Sequence, residues 1–131
     1  MIVCGLDSEA WTVGGAIKMA PPVIQTNNNV ELKEDGTGLI FNTPGWYRVR
    51  FQAVATASDV TLGMEFKANG KVINLTDVTI SATNGDDYSL NREYPIQIKP
   101  SEEAGEYALL EFVATTTASG ASGLVFVDKM E

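Results

Sequence analysis

At 131 residues the chain has room for one domain with a genuine core, and 17 Asp plus Glu against 9 Lys plus Arg give it a net charge of -8. Acidity with scattered basic residues argues against nucleic-acid binding, which needs a basic face, and no apolar run approaches the roughly 18 residues of a membrane helix. The absence of histidine removes Ser-His-Asp and Cys-His catalysis and, with one cysteine, structural zinc.

The N-terminal stretch runs Ile2-Val3-Cys4-Gly5-Leu6 and then turns acidic at Asp7 and Glu9. With no basic start and no long apolar run, a secretory signal is not expected. Cys4 has no internal partner and reads as a free thiol in an apolar segment. Residues 1–21 show weak periodicity, carry Trp11, Gly14-Gly15 and Met19, and close with Pro21-Pro22. The expectation is an arm, an edge strand or a docking segment over 1–21 and a compact domain over 22–131. Gly14-Gly15 lacks the Lys-Ser/Thr and the helix of a phosphate loop.

Beyond Pro22 helical periodicity is absent and the chain reads as all-β. Val, Ile, Thr, Tyr and Phe fill short runs that Gly, Pro, Asn and Asp interrupt. Strands are expected at Val23–Gln25, Val30–Lys33 and Leu39–Phe41. Pro44-Gly45 then bends the chain into a long strand from Trp46 to Ala55. There Tyr47, Val49, Phe51, Ala53 and Ala55 fall on a core face, and Trp46, Arg48, Arg50, Gln52 and Val54 on the other. Thr61–Lys67 places Leu62, Met64 and Phe66 on one face. Asn69-Gly70 is a strong hairpin signal, because a two-residue type I′ turn needs positive φ at both central positions. It leads into a strand over Lys71–Leu75.

The next strand pattern is Tyr94, Ile96 and Ile98, and Pro95 assigns it to a sheet edge or a bulge. A turn-rich acidic loop spans Lys99 to Gly105. Glu106–Thr115 is the second long strand, with Leu110 and Phe112 facing the core and Leu109, Glu111 and Val113 opposite. Ser119 to Gly123 reads as a loop before a closing strand, Leu124–Val127, with Phe126 assigned to the core.

These landmarks carry a resemblance. Pro44-Gly45-Trp46-Tyr47-Arg48-Val49-Arg50-Phe51, the Leu62 to Ile73 hairpin about Asn69-Gly70, Tyr107 to Phe112, and Leu124 to Lys129 resemble the trimeric jelly-roll superfamily. That superfamily includes tumour necrosis factor, complement globular heads, spore-surface knobs and bacteriophage virion proteins. The resemblance covers about residues 22–131. It implies a jelly-roll β-sandwich that forms a homotrimer and acts by assembly, not catalysis. It also implies a structural virion protein of a bacteriophage: a capsid decoration protein, head-fibre knob or tail-fibre tip. Such a protein is made in the host cytoplasm and held on a capsid or fibre protein through residues 1–21, with a possible glycan or protein ligand on the host surface. The alternative is a carbohydrate-binding or adhesion module on a bacterial or spore surface. No collagen-like Gly-X-Y stalk is present, and the Lys99–Gly105 loop departs from the complement-head pattern, so calcium and receptor sites are not carried over.

Candidate chemistry is sparse. Carboxylate pairs of the glycosidase kind would have to come from Glu65, Glu111, Asp77, Asp86 or Asp87, and a solvated strand face explains these acids better. Asp86-Asp87 with Asn84 and Asp77 could offer oxygen ligands to calcium, but no EF-hand spacing is present. Asn74-Leu75-Thr76 matches a glycosylation acceptor without a signal to use it. No catalytic, cofactor or metal residues are therefore assigned. The residues expected at interfaces are Trp11, Trp46, Arg48, Arg50, Leu109 and Val113, because aromatic and semi-polar groups opposite a core face imply a second buried surface. Tyr88 is a further candidate aromatic, flanking the Asp86-Asp87 loop.

Overall fold

The computed structural model describes residues 1–57, 61–81, 87–99 and 108–130. Eleven strands and no helix occur among them: β1 (Ile2–Leu6), β2 (Met19–Gln25), β3 (Val30–Leu32), β4 (Leu39–Phe41), β5 (Gly45–Ala57), β6 (Thr61–Ala68), β7 (Lys71–Val72), β8 (Val78–Ser81), β9 (Asp87–Ile98), β10 (Ala108–Ala114) and β11 (Ala118–Met130). They form two packed sheets. One has the order β2-β1-β11-β5-β9; the other runs β3-β4-β10-β6-β7, with β8 also paired to β6. The strand pairings among the described residues are antiparallel, and the first and last long strands, β5 and β11, lie side by side in one sheet. This is a jelly-roll sandwich.

The core sits between the two inner faces. Tyr47, Val49, Phe51, Ala53 and Ala55 of β5 are buried, as their alternation requires, and face Leu62, Met64 and Phe66 of β6 and Leu110 and Phe112 of β10. The rings interlock: Phe51 lies 5.1 Å from Phe112, Phe66 meets Phe112 edge-on at 4.9 Å, and Phe41 meets Tyr47 edge-on at 4.8 Å. Tyr47 keeps its hydroxyl satisfied by donating to the Thr43 carbonyl at 2.6 Å. The Asn69-Gly70 hairpin forms as its residues dictate, with φ of 50° and 80°. Its Asn69 side chain accepts from the Leu109 N–H at 2.8 Å and ties the turn to β10.

Four expectations are corrected. Residues 1–21 are no free arm. β1 is inserted between β2 and β11, Ile2 opposite Val127 and Cys4 opposite Val125, and the next residues cross to the other sheet. There the Ile17 N–H donates to Phe112 O at 2.7 Å and the Gly14 N–H to Ala114 O at 2.9 Å. Gly14-Gly15 lies in the crossing, and Pro21-Pro22 lies within β2, the edge strand, so neither pair marks a domain boundary. Second, Phe126 is not in the core. Val125 and Val127 point inward, and Phe126 pairs with Val3 and Arg50 on the outer face. A continuous apolar run has no phase of its own, so its register comes from its partners. Third, the Ser119–Gly123 segment is strand: β11 begins at Ala118 and pairs along β5 through a shift between Ala118 and Ala121. Gly123 has φ 153°, and a Cβ there would collide with the Gln52 carbonyl, so only glycine lets the two strands approach here.

Fourth, the strand expected over Lys71–Leu75 stops at Val72. A tight turn follows, held by the fully buried Thr76, whose hydroxyl donates to the Ile73 carbonyl at 2.6 Å and accepts from the Phe66 N–H at 3.1 Å. Pro95 lies on the edge strand β9, where a missing N–H is harmless.

Candidate functional site: the outer face of the five-stranded sheet

Because side chains alternate along a strand, filling the core with Tyr47, Val49 and Phe51 forces Trp46, Arg48 and Arg50 onto the opposite surface. Register places their neighbours. Trp46 stands between Met130 and Gln97, Arg48 between Asp128 and Pro95, and Arg50 between Phe126 and Glu93. Glu93 binds both cations: its Oε1 lies 3.3 Å from Arg48 Nε and its Oε2 3.0 Å from Arg50 Nη2. These groups are about half exposed, so each pair contributes only about 0–1 kcal/mol. The pairs instead bring the two guanidinium groups to one carboxylate.

Around them the face is apolar. Trp46 is 49% exposed, and Ile24, Val54 and Leu124 are exposed beside the half-buried Phe126. Val54, Leu124, Gln52, Asn91, Ser89 and Ser122 line a shallow depression of about 260 Å³ on this face. Single exposed apolar residues are ordinary; several on one sheet face around an ion-pair cluster make this face the candidate interaction surface.

The six residues expected at interfaces thus separate. Trp46, Arg48 and Arg50 lie together on this face. Leu109, half-buried, and Val113, buried, lie on the outer face of the other sheet, where Val113 bridges to Ala16. Trp11 is 4% exposed, packs against Phe51 at 6.3 Å and bridges to Ala118. It is core, and Val113 is covered within the chain, so neither is available as a surface anchor. The residues missed by sequence reasoning are Glu93, Val54, Leu124 and Phe126. Glu93 sits one residue before the alternating pattern from which β9 was read, and only the register with β5 brings it to Arg48 and Arg50.

The other candidates hold no assembled chemistry. Glu111 pairs in register with Lys67, and Lys67 lies 4.0 Å from Glu65, so the two acids flank a cation on the outer face of the six-stranded sheet. Asp77 is exposed, Asp87 opens β9, and Asn84 and Asp86 lie outside the described residues. Among the described residues no three His, Cys, Asp or Glu side chains converge as metal ligands, and no helix is long and apolar enough to cross a membrane. Cys4 is buried, and burial pushes its thiol up to about 11.

No protein-family model matches the chain, and no curated protein is significantly similar to it. Solved structures are similar over the whole length. The Eiger tumour necrosis factor of S. frugiperda aligns with a TM-score of 0.76 at 12% identity, covering 99% of this chain and 92% of that one. The globular domain of zebrafish complement 1qA aligns at 0.72 and 9%, covering 100% and 98%. Vertex protein P5 of the phage PRD1 aligns at 0.65 and 9%, covering 99% and 97%. The chain has the tumour necrosis factor/complement-head jelly-roll fold, and phage members share it.

Proposed function

We propose that this protein is a non-enzymatic structural component of a bacteriophage virion, a decoration protein or a head- or tail-fibre knob. It assembles as a homotrimer through the outer face of its five-stranded sheet and presents its remaining surface outward. The observation that carries this reading is that face: exposed Trp46, Val54, Ile24 and Leu124 surround the Arg48–Glu93–Arg50 cluster. The trimeric habit of the resembling superfamily supplies the number three, and the likeness to a phage vertex protein supports the virion. The missing histidine and the dispersal of the acids favour assembly over catalysis.

The test is the mass of the purified protein in solution and its retention on particles. Mass photometry should give three chains of 14.1 kDa. Leu124→Asp, exposed in the single chain, should give folded monomers that no longer decorate virions. A wild-type monomer refutes the trimer. A monomeric protein that binds a sugar at Trp46 would move the assignment to the adhesion module.

A further inference from the structure

Arg92 is built differently from the other arginines. It lies on the inner side of β9, opposite Phe51, on the edge strand of its sheet. Its guanidinium stands 5.9 Å from the Tyr94 ring centre, and half-buried Tyr88 flanks it four residues before. Its Nε is buried with no hydrogen-bond acceptor. Arg48 and Arg50 both hold Glu93, whereas Arg92 has no ion pair among the described residues, in a chain where acids outnumber bases 17 to 9. A buried charged donor left unsatisfied is costly, and a guanidinium edge bordered by aromatics is shaped for a carboxylate.

A three-fold ring joins unlike patches, since a patch meets itself only across a two-fold axis. If one patch is the outer face of the five-stranded sheet, the next copy must bring another surface to it. On that face Glu93 is already occupied by two guanidinium groups. Asp128 is half exposed, and its nearest cation is the Met1 amine at 3.9 Å. We propose that Arg92 is half of an ion pair between copies, completed by Asp128 of the adjoining protomer. This rests on the trimeric reading above and names the contact that sets which surfaces meet.

The test is sedimentation equilibrium of the full-length wild type, Arg92→Gln, Arg92→Lys, Asp128→Asn and the double variant Arg92→Gln/Asp128→Asn, with circular dichroism to confirm the fold. Removing one partner of a desolvated interfacial charge pair should weaken association by about 30-fold or more. Arg92→Lys, which keeps the charge without the planar fork, should fall between wild type and Arg92→Gln. The double variant should be no weaker than the worse single one, because the same pair is lost. Folded Arg92→Gln with wild-type association overturns the pairing, as does independent multiplication of the two single effects. If Arg92→Gln does not fold, Asp128→Asn, altered on the exposed face, decides alone: unchanged association overturns the proposal. A monomeric wild type overturns this and the trimer together, whereas a trimer indifferent to both residues overturns only the pairing.

Discussion

A chain beginning at Pro22 should not fold. The deletion removes β1 from the middle of its sheet and leaves β11 with an open edge along Gly5 to Ile2's partners, Leu124–Val127. It also empties the core of Ile2, Trp11, Ile17 and Met19, which are 1%, 4%, 3% and 2% exposed. At about 1.5–3 kcal/mol for each fully buried side chain, these four alone contribute roughly 6–12 kcal/mol. A domain of this size has a total stability of about 5–15 kcal/mol, so the loss consumes most or all of it. Far-UV circular dichroism with urea titration of the truncated chain should show neither native strand content nor a cooperative transition. Trp11→Ala is the graded companion and should cost about 3–5 kcal/mol, through loss of its contact with Phe51 and the cavity left behind. A truncated chain that unfolds cooperatively with native spectra would show that the first 21 residues are accessory to the sandwich and that the burial argument is wrong.

Two further outcomes test the core and its buried thiol. Phe51→Ala should cost about 3–5 kcal/mol in chemical denaturation, whereas Phe126→Ala, on the outer face, should cost clearly less and should weaken self-association instead; equal costs would invert the register of β11. Cys4 is held neutral by burial, its pKa raised from 9.0 to about 11. Its contribution to stability is therefore fully present below about pH 9 and is lost as pH rises toward 11, where only the unfolded thiol ionises. A thiol reagent at pH 8 should react with the unfolded chain and scarcely with the folded one, and comparable rates would place Cys4 at the surface.

What could be read from the chain beforehand follows from where alternation is clean. Tyr47 to Ala55, Leu62 to Phe66 and Leu110 to Phe112 alternate strictly, and one face of each had to be the core. The hairpin at Asn69-Gly70 is dictated by two residues, and the edge position of β9 by one proline. Legibility ends where several solutions share a pattern. Leu124-Val125-Phe126-Val127 is apolar on both faces, so its phase depends on Val3 and Arg50, which are distant in sequence. The first 21 residues change sheets midway, which destroys any single period although Ile2, Val3, Cys4, Trp11, Ile17 and Met19 are all buried. Half of the candidate face was legible in Trp46, Arg48 and Arg50. Val54 follows on the same strand face by alternation, whereas Glu93 and Leu124 join it only through pairing between strands, which composition does not record.

The pairing of β1 with β11 also dictates the order of events in making the protein. β1 leaves the ribosome long before its neighbour β11, since Ile2 meets Val127. At ~5–20 residues per second, an apolar segment ending in Leu6 waits several seconds without its partner. The two prolines that follow on β2, and Pro95 on the opposite edge, are then as useful to the nascent chain as to the finished one, because they spoil the ladder that two waiting chains would form with each other. Closure of the sandwich is dominated by long-range contacts, and β11 completes both the core and the centre of the five-stranded sheet.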